Sequence, residues 1–398
     1  MVLDVTGSMN QVGSDGVTKL SRLRDAATAL VNSLETAAQA STDANAVRIS
    51  MVPFSSAVNV GTANKTASWI VQSNAHTLSN NLFTNSTGNP GTASANRFSL
   101  FSNVGVAWGG CVEARPAPYD VQDTAASTSV PNSLYIPYFA PDEVGPGDGF
   151  TSAEQNAAYN GQTFYINDYL PDAVTGSDQY KQGNITKYNR APSASGSVPM
   201  LQSLGFGTYY IGPNFGCTAS PIVPLTNSFS SLRTAITNLT ASGETNIPLG
   251  MAWGWNTLSP NGPFSAARGV AYSDTDTSKV IVLMTDGENT SYDIGNNFND
   301  SMYSSIGYIR QNRIGIAGGT QPERTTQMNS RLSTLCTNLR NQGVIVYTVR
   351  VEVTAGDSSV LRNCASEPEY YYDVQNAANL ADAFRSIAGS ITRLRIAH

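Results

Sequence analysis

The 398-residue chain has a formal net charge of −6, and only 13% of its residues are charged, against a usual share of roughly 25%. The negative balance makes nucleic acid and anionic membrane poor partners for the whole surface, and the polar, weakly charged composition is common in exported proteins. The length allows one large domain or two ordinary ones, each with a sizeable core.

The first 55 residues predict a strand, a helix and a second strand. A short hydrophobic run ends at Asp4, and because a central strand usually has residues ahead of it, we expect the chain to be a fragment. The segment VRISMVPF (47–54) is rich in β-forming residues, and Pro53 helps to end it. Between the two strands lies an apolar stripe at helical spacing, formed by Leu20, Leu23, Ala27, Leu30 and Leu34.

Residues 56–225 differ in composition from what precedes them. They are rich in Asn, Ser, Gly, Pro and Tyr and contain few long periodic segments. A structureless loop of this length is improbable inside a compact domain, so we predict a long insertion with modest structure of its own. An independent second domain is the alternative.

Regular patterns return at residue 226. The segment 229–243 has a helical stripe and Gly243 as a candidate C-cap, and Pro248 suits the first turn of another helix. The continuous apolar run KVIVLMTDG (279–287) is typical of a strand buried on both faces of a parallel sheet. After a polar, Gly-rich insertion (288–322), the later elements are a helix through Leu332, Leu335 and Leu339, strands at 344–353 and 370–374, and a closing helix with Leu380, Phe384, Ile387, Ile391 and Leu394.

Strands that alternate with amphipathic helices predict an α/β, doubly wound, mostly parallel sheet flanked by helices. We assign residues 1–55 and 226–398 to this domain and residues 56–225 to an insertion between the second strand and the following helix. In open sheets of this kind, ligand sites form at the carboxyl ends of the strands. Asp4 and Asp286 each follow an apolar strand directly, so both are expected at that edge.

Oxygen-bearing side chains cluster after the first predicted strand. Asp4, Thr6 and Ser8 supply one carboxylate and two hydroxyls within five residues, and Asp286 supplies a second carboxylate. Such oxygens are hard ligands suited to Mg²⁺ or Mn²⁺, and a divalent ion would relieve the repulsion between the carboxylates. A D-x-T-x-S string by itself is also common in strand-to-helix turns and caps.

These motifs together resemble the metal-ion-dependent adhesion site (MIDAS) of von Willebrand factor A domains. The match falls on Asp4, Thr6 and Ser8, on Thr245 in GETNIP, and on Asp286 in MTDG, in the order of the family. The resemblance implies that the three hydroxyls contact Mg²⁺ (or Mn²⁺ or Ca²⁺) and that the aspartates bind it directly or through water. It also implies a coordination position for an acidic group of a partner. Thr6 replaces the more usual serine and keeps the oxygen.

A closer resemblance, covering nearly the whole chain, is to the C-terminal region of TadG-type proteins of the Flp/Tad pilus-assembly systems. It is carried by VLDVTGSM, VPFSSAVNVG, GCVEAR, YFAPDE, NDYL, GPNFGC, TNIPLGMAWGW, VIVLMTDGENT and NCAS. The resemblance implies a non-enzymatic binding or scaffold module in the cell envelope, with a membrane anchor upstream of this chain and a protein partner from the pilus or envelope assembly machinery. A cell-surface adhesin of the same fold, with host or matrix ligands, is the alternative.

The number and spacing of the cysteines indicate the cellular compartment of the protein. Four cysteines at wide spacing exclude a C-x-x-C redox or zinc pair, and their even number predicts two disulfides outside the reducing cytosol. Spacing alone leaves three connectivities open. The resemblance implies Cys111 with Cys217 and Cys336 with Cys364. No run reaches the ~20 apolar residues of a membrane span, and no signal peptide precedes Asp4.

The chain lacks residues that several enzyme classes require. An aspartic protease requires Asp followed directly by Thr or Ser, and Val5 intervenes here; a haloacid-dehalogenase phosphatase requires an aspartate where Thr6 stands. Ser-His-Asp chemistry would have to use His76, which we place on a polar surface, or the terminal His398. Neither a P-loop nor G-x-G-x-x-G is present. Metal-assisted hydrolysis would lack a general base, so we predict a non-enzyme.

Overall fold

The computed structural model describes residues 1–74, 76–84, 93–144, 155–159, 162–165, 167, 169–170, 176–189, 200–204, 207–264, 270–292, 299–353 and 359–396. Within these ranges the strands are β1 (Val2–Asp4), β2 (Ile49–Phe54), β3 (Val58–Asn59), β4 (Cys111–Val112), β5 (Gln155–Tyr159), β6 (Gln162–Tyr165), β7 (Met200–Leu204), β8 (Gly207–Ile211), β9 (Val223–Thr226), β10 (Val280–Thr285), β11 (Ile345–Val351) and β12 (Tyr371–Val374). The helices are α1 (Lys19–Gln39), α2 (Thr77–Asn80), α3 (Arg97–Asn103), α4 (Asp178–Gly183), α5 (Phe229–Thr237), α6 (Ile247–Leu258), α7 (Gln321–Asn341), α8 (Ser359–Cys364) and α9 (Leu380–Ile396).

Six strands form the central sheet, in the order β9-β2-β1-β10-β11-β12. All neighbours are parallel except β9, which runs antiparallel to β2 at the edge. Counted along the chain, this is the doubly wound order 3-2-1-4-5-6. The predicted fold class, an α/β domain with a doubly wound, mostly parallel sheet flanked by helices, is therefore confirmed.

Alternate residues of the central strands serve two hydrophobic cores, one on each face of the sheet. Val2 packs with α6 and α7 on one face, and its neighbour Leu3 packs with α1, α5 and α9 on the other. In β10, Leu283 belongs to the first core and Met284 to the second. Burial on both faces explains why these strands are continuous apolar runs in the sequence.

The long insertion packs onto the α6 face of the sheet. Phe83, Phe101 and Tyr138 are fully buried in the same core as Val2 and Trp253. At its end, β9 pairs with β2, so residues 223–225, which the predicted boundary assigns to the insertion, lie at the edge of the sheet. The insertion thus shares its core with the sheet and returns the chain to the sheet through a strand.

Two disulfides tie the chain together. Cys111 in β4 is bonded to Cys217, with Cα atoms 5.8 Å apart. Cys336 in α7 is bonded to Cys364 at the end of α8, with Cα atoms 5.1 Å apart. This is the pairing that the family resemblance implies.

Two local predictions are wrong. Helix α5 ends at Thr237 with Asn238 as its C-cap, so Gly243 does not cap it. Gly243 instead has φ +87° in the following loop, where its carbonyl accepts a hydrogen bond from Gly7 N at 3.0 Å. His76 is buried, at 2% exposure, within electrostatic range of Arg97 and Glu113. Burial and the charge of Arg97 lower the pKa of that imidazole.

No helix in the described part of the chain combines the length and the apolar character that a membrane crossing requires.

Candidate metal site

The turn after β1 brings its polar side chains together. Asp4 is the last residue of β1, and its Oδ1 accepts a hydrogen bond from Thr6 N at 2.9 Å, which closes a local turn. A short 3₁₀ turn (Gly7–Asn10) follows, and the hydroxyls of Thr6 and Ser8 lie 3.0 Å apart. The D-x-T-x-S spacing therefore places three oxygen-bearing side chains in one turn at the carboxyl end of the strand.

The end of β10 joins this turn through two side-chain hydrogen bonds. Ser8 Oγ donates to Asp286 Oδ1 at 2.7 Å, and Thr285 Oγ1 donates to Asp4 Oδ2 at 2.6 Å. Because β1 and β10 are parallel neighbours, their carboxyl ends lie at the same edge of the sheet. Residues 278 positions apart thus share one hydrogen-bonded network.

The loop that carries Thr245 lies against the same turn. Gly7 N donates to Gly243 O at 3.0 Å, and Ser242 N donates to Val5 O at 2.8 Å. Thr245 is buried, at 5% exposure. In the part of the chain that the structure describes, no hydrogen bond joins its hydroxyl to the other four predicted ligands. The structure thus joins Asp4, Thr6, Ser8 and Asp286 directly and places the Thr245 loop beside them through backbone contacts.

The loop after β10 holds the backbone of the Thr245 loop. Thr245 N donates to Thr290 Oγ1 at 2.8 Å, and Thr290 N donates back to Thr245 O at 2.9 Å. Ile247 N donates to Asn289 Oδ1 at 2.9 Å at the start of α6. Asn289 and Thr290, which follow the TDG motif and Glu288, supply these contacts, and sequence reasoning assigned neither of them a contact.

Sequence reasoning also missed Lys19, the first residue of α1. Its Nζ lies 3.0 Å from Asp286 Oδ2, and only 9% of its side chain is exposed. Asp286 therefore accepts from Ser8 on one oxygen and from Lys19 on the other. A lysine at the start of an amphipathic helix carries no sequence signal for this position, because most such lysines face solvent.

Burial and mutual repulsion make it unfavourable for both carboxylates at this site to be ionised. Asp4 is fully buried and Asp286 is 5% exposed. Burial and the negative charge of Asp286 raise the pKa of Asp4 to about 7, against the opposing effect of the bonds from Thr285 and Thr6. A nearby cation would relieve this repulsion.

The donor set fits a hard divalent cation. Within the described ranges, no group of three or more His, Cys, Asp or Glu side chains is placed to hold a metal ion. The network at the sheet edge instead combines two carboxylates with hydroxyls, oxygen ligands that suit Mg²⁺, Mn²⁺ or Ca²⁺ and not soft metals. The residues present therefore fit the kind of ion that the resemblance implies.

Comparison with known proteins adds remote structural likenesses. No protein-family model and no curated protein sequence matches this chain. Proximal thread matrix protein 1 from the mussel byssus aligns at 20% identity over 42% of this chain and 29% of that chain, with a TM-score of 0.23. The pilus adhesin SpaC from Lactobacillus rhamnosus GG aligns at 11% identity over 99% of this chain and 30% of that chain, with a TM-score of 0.39. The vWF domain of the type V pili tip protein Mfa5 from Porphyromonas gingivalis aligns at 17% identity over 43% of this chain and 75% of that chain, with a TM-score of 0.28.

The alignments cover only part of the matched proteins. The aligned part of the chain spans about 30% of the length of the mussel protein and of SpaC. One structure of the mussel protein is described as having a zinc-occupied MIDAS motif, which is a property of that protein. At such low identities and TM-scores, the likenesses carry no argument about function. The fold assignment rests on the strand order and strand directions of this chain.

Proposed function

We propose that this chain is a non-enzymatic, metal-ion-dependent binding module that engages a protein partner. The observation that carries the proposal is the hydrogen-bonded network that links the Asp4 turn to Asp286 at the carboxyl edge of the sheet. Such an edge is where α/β sheets of this order place their ligands. The network contains acceptor oxygens and a repelling acid pair, the two features that favour a divalent cation.

In this proposal Asp4, Thr6, Ser8, Thr245 and Asp286 hold the ion. The ion supplies a positive charge with an affinity for acidic groups, and Mg²⁺ is the first candidate, with Mn²⁺ or Ca²⁺ as alternatives. An acidic group of the partner binds at this position. Asp4 and Asp286 would keep the ion at the strand ends, and the three hydroxyls would supply neutral oxygen ligands.

We assign the module to Tad pilus assembly, with a pilus or envelope assembly component as its partner. The support is the resemblance of motifs in both the domain and the insertion to TadG-type proteins. Two disulfides support a location on the periplasmic or extracellular side of the cell envelope, where such bonds persist. An upstream membrane anchor and the division of the chain into a domain (1–55 and 226–398) and an insertion (56–225) belong to the same proposal.

Titration calorimetry with MgCl₂ tests the metal site. The variants Asp4→Ala and Asp286→Ala are expected to weaken Mg²⁺ binding at least tenfold while the circular dichroism spectrum stays that of the wild type. Asp25→Ala is the matched control, because the Asp25 carboxylate lies on α1 with 62% of its side chain exposed. Equal Mg²⁺ affinity in all three variants and the wild type would rule out the site.

A second experiment tests the partner class. The purified pilin of the same Tad system is immobilised, and binding of the chain is measured by surface plasmon resonance with MgCl₂ or with EDTA. Binding that requires Mg²⁺ and is lost in Asp286→Ala supports the proposal. Mg²⁺-dependent binding to extracellular matrix proteins, with no binding to the pilin or other assembly components, would favour the adhesin alternative.

A further inference from the structure

Lys19 is a buried cation inside the candidate metal site. Its ammonium lies 3.0 Å from Asp286 Oδ2 and donates a hydrogen bond to it. Only 9% of the Lys19 side chain and none of the Asp286 side chain are exposed. The pair is therefore shielded from the solvent screening that weakens surface ion pairs.

With this ion pair, both carboxylate oxygens of Asp286 already accept hydrogen bonds. One carboxylate oxygen accepts from Ser8 and the other from Lys19. A divalent cation that draws on Asp286, directly or through water, must compete with these donors. With both carboxylates ionised, the site carries two negative charges and one positive charge, so half of the negative charge that would attract a metal is already balanced.

A second carboxylate lies within electrostatic reach of Lys19. Glu352, directly after β11, accepts hydrogen bonds from Ser14 Oγ at 2.6 Å and from Ala377 N at 2.9 Å. Burial acts to raise the pKa of Glu352, but these hydrogen bonds and the charge of Lys19 lower it overall. The ammonium thus has an alternative anion at the same end of the sheet.

We propose that Lys19 is a resident cation of the site that neutralises Asp286 in the metal-free protein and is displaced when a divalent cation binds. This inference rests on the proposed metal function. Lys19 then lowers the affinity for the metal, because its buried ion pair with Asp286 must break before the ion can bind there. It also keeps the metal-free fold intact, since an unpaired buried carboxylate is destabilising.

The first test compares Lys19→Met with the wild type by calorimetric titration with MgCl₂. Methionine keeps the length and apolar stem of the side chain and removes the charge. We expect Mg²⁺ affinity to rise roughly tenfold or more, since the variant has no ammonium that must leave Asp286 before the ion binds. In EDTA the variant should melt at a lower temperature than the wild type, and saturating MgCl₂ should raise its melting temperature by more than it raises that of the wild type.

Two control variants separate charge from structure. Lys19→Arg keeps the charge, so its Mg²⁺ affinity should stay within about threefold of the wild type. Lys65→Met makes the same chemical change at an exposed lysine whose Nζ lies over the Phe98 ring in the insertion, and it should change neither the affinity nor the effect of Mg²⁺ on melting.

A wild-type measurement does not depend on how the variants fold. Lysines of the full chain are acetylated with acetic anhydride, with and without MgCl₂, and the modified sites are quantified by mass spectrometry. Lys19 should be protected without metal and become at least severalfold more reactive with Mg²⁺, while Lys65 stays constant. Unchanged protection of Lys19 at saturating Mg²⁺ would overturn the displacement.

The outcomes distinguish this inference from the proposed function. If the wild type binds Mg²⁺ and Asp286→Ala does not, but Lys19→Met binds with equal or lower affinity, the role of Lys19 is wrong and the metal site stands. If Asp286→Ala binds Mg²⁺ as well as the wild type does, the metal site itself is wrong and the inference falls with it.

Discussion

At the scale of single residues, Thr290 holds the loop that carries Thr245. Its hydroxyl accepts from Thr245 N at 2.8 Å. Thr290→Val keeps the side-chain shape and removes this acceptor, which is worth about 0.5–1.5 kcal/mol. We expect Mg²⁺ affinity to fall about two- to tenfold, because the loop then positions Thr245 less firmly. Calorimetric titration measures the change.

The control for this prediction is Thr326→Val. Thr326 is exposed on α7, and its hydroxyl donates only to Pro322 O within the helix. Affinity should be unchanged in that variant. If Thr290→Val and Thr326→Val bind Mg²⁺ equally well, the Thr290 contact has no part in the site.

Glu113 is the centre of a buried ion cluster between the two insertions. It accepts hydrogen bonds from Arg97, Arg313 and Tyr303. Burial acts to raise the pKa of Glu113, but the two guanidiniums outweigh it and lower the pKa overall from its usual 4.5. The fold therefore favours the ionised carboxylate, and this contribution to stability is present above about pH 4.5 and is lost as the pH falls through the lowered pKa.

We therefore predict that the free energy of unfolding in urea falls between pH 5 and pH 3. Glu113→Gln should be less stable at pH 7 by about 3–5 kcal/mol, because two buried guanidiniums lose their counter-ion, and its stability should depend less on pH in that range. Glu35→Gln is the control, since Glu35 forms a partly exposed pair with Arg233 and should change stability by less than about 1 kcal/mol. An equally steep acid dependence in Glu113→Gln would contradict the assignment.

At the scale of secondary-structure elements, the close approach of α6 to the sheet depends on glycines. A Cβ atom on Gly254 would lie 2.4 Å from Val2 Cγ2, and one on Gly250 would lie 2.5 Å from the Phe54 ring. Gly254→Ala should lower the free energy of unfolding by about 1–3 kcal/mol through overpacking. This loss acts against a gain of about 1 kcal/mol in helix propensity. Urea denaturation measures the net effect.

Gly389 offers a matched helical control for Gly254. It lies in α9, and the nearest atom to an added Cβ is Arg393 Nη1 at 4.0 Å. Gly389→Ala should leave stability unchanged or raise it by up to about 1 kcal/mol. If both substitutions had the same effect, the tight packing of α6 on β1 would be refuted.

At the scale of the whole molecule, the two disulfides close loops of very different length. Cys111 and Cys217 are 106 positions apart, and Cys336 and Cys364 are 28 apart. Loop entropy in the unfolded chain grows with loop length, so removal of the longer bridge should cost about 1 kcal/mol more. The double variants Cys111→Ser/Cys217→Ser and Cys336→Ser/Cys364→Ser, compared in urea, test this order. A larger loss from the shorter bridge would contradict it.

The sequence by itself determined the mostly parallel character of the sheet and the side chains that follow its central strands. Continuous apolar runs and helical stripes are local patterns, so β1, β10 and α1 were predictable within a few residues. Because parallel strands end at one edge, Asp4 and Asp286 were expected to meet, and hydrogen bonds through Ser8 and Thr285 do join them. Residues 56–222 lack such periodicity, so the sequence did not predict the individual helices and strands of this segment.

Only the tertiary structure decided which other residues contact this site and how the insertion lies on the sheet. Lys19, Thr290 and the buried Glu113 cluster depend on contacts between distant parts of the chain, and no local period marks them. His76 looked like a surface residue because its neighbours are polar, yet burial depends on what packs above a residue. Local sequence patterns determine on which face of its own helix or strand a residue lies. Packing between elements determines which other residues it contacts, and here those contacts set the charge of the candidate site.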